Sequence, residues 1–214
     1  MSTEDKATTR TTVAIGDVHG QYKTLRTLLS KIPTESRVIF LGDLFDKGND
    51  SKEVYHLLLD IEHERVLGNH DNMLIEAVRS GEKYSLVKWL LSGGRFAIRS
   101  FGGVPSDEIV QFLESAPLFI TDDDNVFVHA GVRPRIPLEQ QKKRDLIGIR
   151  SAFYCSNEIG IGKRVVFGHT PFFDVLIEKD RVGCDTGAGI GNALSCAIFD
   201  GDSAPRVVSV PVEY

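Results

Sequence analysis

Asp17 and His19 in GDVHG, Asp43 in GDLFD and Asn69, His70 and Asp71 after Gly68 are oxygen and nitrogen donors. That donor chemistry suits borderline-hard divalent ions such as Mn, Fe or Zn and is not a thiolate site. His129 in HAG and His169 in GHT extend the series. Each of the two follows an apolar run of β type, residues 126–128 and 165–167.

The pattern of a buried strand followed by a ligand recurs five times along the chain. Strands of one sheet deliver their carboxyl ends to a common edge, where α/β folds build their sites, so five separated segments can converge. Six donors, Asp17, His19, Asp43, Asn69, His129 and His169, exceed what one open catalytic ion takes and suit two ions sharing a carboxylate. Taken singly, each motif has an ordinary explanation as a turn, a helix start or a histidine bonded to backbone. Their order and their common place at strand ends make coincidence the poorer explanation.

Stepping from ligands to scaffold, 214 residues with 42% hydrophobic content suffice for one substantial core. Residues 1–11 are polar and aperiodic and are expected to form a disordered tail, with 12–214 as a single catalytic domain. Residues 12–15, 37–41 and 65–67 are expected strands, with helices over 22–31 and 51–62 between them. This βαβαβ order predicts a parallel sheet with crossover helices. Residues 72–91 are expected to form two helices, punctuated by Gly93 and Gly94, with a further helix over 107–115 behind Ser106. After Pro117, short β runs at 118–121, 126–129, 164–167, 175–178, 181–184, 195–199 and 207–212 predict a second, more antiparallel sheet. The expected architecture is α/β, two mixed sheets forming a β-sandwich flanked by helices.

Net charge of −5 without a Lys/Arg stripe argues against a nucleic-acid backbone partner. No apolar stretch reaches the length of a membrane span and the first residues carry no apolar leader core, so a cytoplasmic protein is expected. Cys155, Cys184 and Cys196 are an odd set without CxxC spacing, which fits reduced thiols. Trp89 falls at helical spacing with Leu86 and Leu90 and reads as core. The glycine-rich segment 187–191 lacks the Lys-Ser/Thr of a P-loop and reads as a tight loop at the site edge.

The combination GDVHG, GDLFDKG, GNHD, HAG and GHT resembles the metallophosphoesterase superfamily, and within it the phosphoprotein phosphatases with their bacterial, phage and diadenosine-tetraphosphatase-like members. The likeness spans nearly the whole chain after Thr12 and implies the calcineurin-like fold. It implies that Asp17, His19 and Asp43 hold one ion and that Asp43, Asn69, His129 and His169 hold the other. Two divalent ions, Mn first with Fe or Zn as alternatives, would activate a bridging hydroxide as nucleophile. His70 would be the general acid, oriented by Asp46.

Two departures bear on substrate. Lys47 and Leu67 stand where the family usually carries arginines, so the phosphate clamp loses a bidentate donor. Arg150 matches the remaining phosphate arginine, and Arg133 is a weaker candidate that reads better as a surface residue. The expected function is a phosphomonoesterase acting on phosphorylated Ser/Thr, and on Tyr as a dual-specificity variant. The alternative is a symmetrical diadenosine tetraphosphate hydrolase, suggested by the LGNHD form and opposed by Asp46, which those hydrolases tend to lack. A non-catalytic scaffold is a poorer fit because every ligand is present. A monomer is favoured, with a phosphorylated protein or nucleotide polyphosphate as its partner.

Overall fold

In the computed structural model, residues 10–201 and 204–213 are described. The expected tail falls outside them up to residue 9. Arg10 is tied down, its Nε donating to Glu35 O at 2.6 Å and its Nη2 to Ser36 O at 3.3 Å.

The first sheet starts with β1 (Thr12–Ile15), β2 (Arg37–Phe40) and β3 (Glu64–Arg65), paired in parallel. Helices α1 (Tyr22–Leu29) and α2 (Ser51–Asp60) make the crossovers, as the apolar spacing predicts. Next come α3 (Asn69–Arg79), α4 (Lys83–Trp89), α5 (Arg95–Phe101) and α6 (Asp107–Glu114). Gly93 and Gly94 punctuate the helices as expected: within Leu90–Gly94 the backbone leaves helical geometry at Gly93, and a kink separates α4 from α5. The kink needs glycine, since Gly93 sits at φ 119°.

The second sheet contains β4 (Phe119–Thr121), β5 (Asn125–Val128), β6 (Arg164–Phe167), β7 (Leu176–Ile177) and β8 (Arg181–Gly183), in the order β4-β5-β6-β8-β7. Two short helices, α7 (Lys143–Leu146) and α8 (Ser151–Tyr154), lie between β5 and β6. The expectation of a more antiparallel second sheet is corrected here. Its three central strands are parallel, with antiparallel β4 and β7 at the edges. The last two strands, β9 (Ala193–Phe199) and β10 (Arg206–Pro211), return to the first sheet, β9 antiparallel to β1. β9 is buried on both faces: Leu194, Cys196 and Ile198 pack on the helix side while Ala197 and Phe199 point between the sheets. Strands of either sheet lie between helices and the opposite sheet, so its apolar run suits both, and the pairing with β1 decides.

The alternation of side chains builds three layers of core. Val13, Ile15, Val38 and Phe40 join residues of α1–α6, whereas Ala14, Ile39 and Leu41 meet Phe127, Val166 and Val182 of the second sheet. Val128, Val165 and Phe167 face outward onto Leu146 and Phe153 of α7 and α8. The result is a sandwich with helices on both outer faces. Cys184 and Cys196 are buried in it as small hydrophobes, and Cys155 is exposed.

Candidate dinuclear metal centre

All five predicted ligand segments leave a strand at its carboxyl end. Asp17 and His19 follow β1, Asp43 follows β2, Asn69 opens α3 beyond β3, His129 follows β5 and His169 follows β6. The chain bends sharply at these exits. His19, Asp43, Asp46, Lys47 and His169 all have positive φ, at 48°, 51°, 68°, 52° and 64°. Among the described residues only Glu35 and Arg135 share this conformation without glycine. Each such residue costs about 1–3 kcal/mol, so the packing around the edge holds strain at the site.

Backbone contacts fix the exits to one another. His19 N–H donates to Asp43 O at 2.9 Å, His70 N–H to Asp43 Oδ1 at 2.8 Å and His169 N–H to Asp17 Oδ1 at 3.0 Å. Gly68 leaves no room for a side chain, because a Cβ there would collide with the Asp43 amide and carboxylate.

Two groups of donors form, and Asp43 is common to both. His19, Asp43 and His70 lie within 4.8 Å of one another, as do Asp43, His129 and His169. Asp17 Oδ2 stands 3.9 Å from His19 Nε2, and Asn69 Oδ1 stands 2.9 Å from His129 Nε2. The structure therefore brings together all six predicted ligands, with the shared carboxylate in the middle.

The ring tautomers favour a cation. His19 Nδ1–H donates to Phe45 O at 3.0 Å and His129 Nδ1–H donates to Leu41 O at 2.7 Å, which leaves both Nε2 atoms as lone pairs pointing into the edge. Burial depresses His19 and His169 to about 3 and lowers His129, so all three are neutral at physiological pH. His129 Nε2 then has Asp43 Oδ2 at 3.5 Å and Asn69 Oδ1 at 2.9 Å as its neighbours. Acceptors crowd one another there, and His169 Nε2 is buried without any hydrogen-bond partner. The carboxylates tell the same story. Burial, with Asp185 and Asp43 beside it, raises Asp17 well above the usual carboxylate range. Burial also raises Asp185 to about 6. Divalent cations fit this donor set, because they satisfy the lone pairs and offset the anionic charge at once.

The remaining predicted residues surround this cluster. His70 Nδ1–H donates to Asp46 Oδ2 at 3.0 Å. Burial opposes charge on His70, yet Asp43 and the Asp46 hydrogen bond outweigh it and raise its pKa. Lys47 Nζ donates to His19 Nε2 at 2.8 Å. Arg150 is exposed, and its charge helps to lower His169 and Asp185. Arg133 is engaged elsewhere, forked onto Asp145 at 3.0 and 2.7 Å. Leu67 is buried and adds no charge.

Three residues have roles here that the sequence reading did not assign. Trp89 is core, as expected, but its Nε1–H also donates to both oxygens of Asp46, each at 3.0 Å. Asp71 accepts the backbone N–H groups of Asp43, Leu44 and Gly68 at 2.8, 3.1 and 3.1 Å and so pins two ligand loops together. Asp185 is buried just past β8 and accepts Gly187 N–H at 2.9 Å. Asp185 carried a readable signal, since it repeats the rule of an acid behind an apolar run. Asp71 was singled out as an oxygen donor but not as the acceptor of three backbone amides, and nothing in the sequence joined Trp89 to Asp46. The segment Gly187–Gly191 does border the edge, with Gly189 packed against the His19 ring and Lys47.

Comparison with known proteins agrees with this geometry. The sequence pattern of the calcineurin-like phosphoesterase family matches residues 10–192. A symmetrical bis(5'-nucleosyl)-tetraphosphatase of Ralstonia nicotianae is 36% identical, over 86% of this chain and 87% of that relative. One of the same name from Photorhabdus laumondii is 34% identical over 61% of this chain, which spans only 48% of that relative's length. Among solved structures, a candidate diadenosine tetraphosphatase superposes with a TM-score of 0.76 at 24% identity, covering 96% of this chain and 95% of that one. A cold-active protein-tyrosine phosphatase of a psychrophilic Shewanella superposes at 0.62 with 17% identity, over 95% and 80% of the two chains. At such identities the structural likeness speaks for the fold. Among the described residues, no helix is long and apolar enough to cross a membrane.

Proposed function

From the premise that the chain belongs to the calcineurin-like phosphoesterase family, we propose that it hydrolyses a nucleotide polyphosphate, with a symmetrical dinucleoside tetraphosphate as the leading substrate. This reverses the order of the sequence-based expectation, which put a phosphoprotein first. Support for the reversal comes from the two tetraphosphatase relatives, one of them aligned over most of both chains.

The observation that carries hydrolysis is the pair of donor groups sharing Asp43 beside a hydrogen-bonded His70–Asp46 pair. Asp17, His19 and Asp43 would hold one divalent ion, and Asp43, Asn69, His129 and His169 the other, manganese being our first choice. When bound, such ions supply Lewis acidity toward phosphate and activate water for attack. The chain's own residues do the rest. His19 has a single Nε2 lone pair, which Lys47 occupies here; with His19 serving as a ligand, the Lys47 ammonium would be available to substrate oxygens. Arg150, exposed and near enough for its charge to lower His169, would be the second cation for phosphate. His70, whose pKa Asp43 and the Asp46 hydrogen bond raise against the opposing effect of burial, would be the general acid for the leaving oxygen.

A second reading has one observation in its favour. Asp46, the carboxylate that orients His70, matches the pattern of phosphomonoesterases that act on phosphorylated side chains. Catalytic efficiency on diadenosine tetraphosphate against a phosphoserine peptide, with Mn and with chelator, separates the two. Preference for the peptide by more than tenfold would reverse our order, and chelator-insensitive turnover would remove the metal reading altogether. His70→Asn should lower kcat about 10²–10⁴-fold on a substrate with a poor leaving group. Near-normal turnover by that variant would sink the acid assignment.

A further inference from the structure

Two aromatic residues leave the His169 exit side by side and do opposite things. Phe172 packs inward against Phe167 and Tyr154. Phe173 is 88% exposed. Across from it stands Ile190, also exposed at 76%, in the Gly187–Gly191 turn. Between them opens a cleft of about 330 Å³, lined also by Pro171, Thr186 and Asn192. Both walls are continuous with the metal edge. Pro171 lies two residues past His169, Thr186 is next to Asp185, and Gly189 touches the His19 ring and Lys47.

We propose that this cleft is a nucleobase subsite, in which Phe173 and Ile190 hold the base of a nucleotide whose phosphates lie on the adjoining edge. The proposal rests on the nucleotide reading above and gives it a place in the fold. Stacking on a flat aromatic face is what exposes such a ring to advantage, and it tolerates any base. The size falls in the range of small-molecule clefts. Polar groups flank the cleft. Thr170, between His169 and Pro171 in the chain, has a buried hydroxyl without a hydrogen-bond partner. Asn192 donates one amide N–H to Thr186 O at 2.7 Å, which fixes its orientation and leaves its carbonyl as an acceptor for a base amino group. A larger cavity of about 660 Å³ lacks these features. It lies at the amino ends of the strands, lined by Thr12, Arg37, Asn125 and Arg164, away from every ligand.

The test compares ADP with inorganic pyrophosphate as probes, which differ by the adenosine alone. Calorimetry on the Mn-loaded full-length protein gives both affinities for wild type, Phe173→Ala, Ile190→Ser and, as a control for exposed apolar surface, Leu59→Ser. Phe173→Ala should weaken ADP at least fivefold and leave pyrophosphate unchanged. Ile190→Ser should act in the same direction and Leu59→Ser on neither probe. Phe173 is mostly exposed, so the variant keeps the fold, which circular dichroism checks. Equal ADP affinity in wild type and Phe173→Ala overturns the subsite, as does a wild type that binds ADP no more tightly than pyrophosphate. If ADP binding depends on Phe173 while diadenosine tetraphosphate is not cleaved, the subsite stands and the proposed substrate falls.

Discussion

Trp89→Phe removes one hydrogen-bond donor from a carboxylate that is only 1% exposed, and the structure sets the size of the effect. Asp46 Oδ1 and Oδ2 both accept the indole N–H at 3.0 Å, and Oδ2 accepts His70 as well. A hydrogen bond to a charged group contributes about 1.5–3 kcal/mol. The smaller ring also leaves roughly 40 Å³ unfilled, worth about 1 kcal/mol at ~24 cal/mol per Å³. The sum is about 3 kcal/mol, which for a chain of this length lowers Tm by about 6–12 °C. Thermal unfolding followed by circular dichroism measures it. A double-mutant cycle with Asp46→Ala isolates the hydrogen bond, because without the carboxylate the same substitution should cost only the cavity, about 1 kcal/mol. Equal cost in both backgrounds would refute the reasoning, and Trp89 would then be core and nothing more.

Gly68→Ala places a Cβ against the Asp43 amide and carboxylate and should abolish tight Mn binding in calorimetry while leaving the far-UV spectrum intact; retained two-site binding would contradict the close approach. Stability should also respond to acid through Asp145, which the Arg133 hydrogen bonds hold below the usual carboxylate range. A depressed folded-state pKa contributes stability that is complete above the unfolded value, near pH 4, and is lost as pH falls through the folded value. Arg133→Ala should therefore lower stability at pH 6 and narrow its gap to wild type toward pH 3, read by urea unfolding at each pH; a gap independent of pH would exclude the pair as its source.

The crossover helices were legible because α1 and α2 each pack a single stripe onto the sheet, which imprints the 3.6-residue period. The C-terminal strands were legible as strands and misleading as partners. The apolar run of β9 records that both faces are covered, but not by which sheet, and pairing with β1 joins residues nearly two hundred positions apart. The glycine pair at 93–94 was legible as punctuation, though not as a kink, since it signals permitted conformations and not the one adopted.

By itself the sequence determined the inventory of candidate ligands, because metal chemistry demands particular atom types and the strand before each one is written in local apolar runs. It also determined the departures at Lys47 and Leu67, which are matters of residue identity. Only the tertiary structure decided what those residues do to one another. The sharing of Asp43 by two donor groups, the indole on Asp46, the three amides on Asp71 and the exposed Phe173 beside its buried neighbour are all contacts across long sequence separations. Such contacts depend on how strand exits are aimed at a common edge, and no local window of sequence carries that direction.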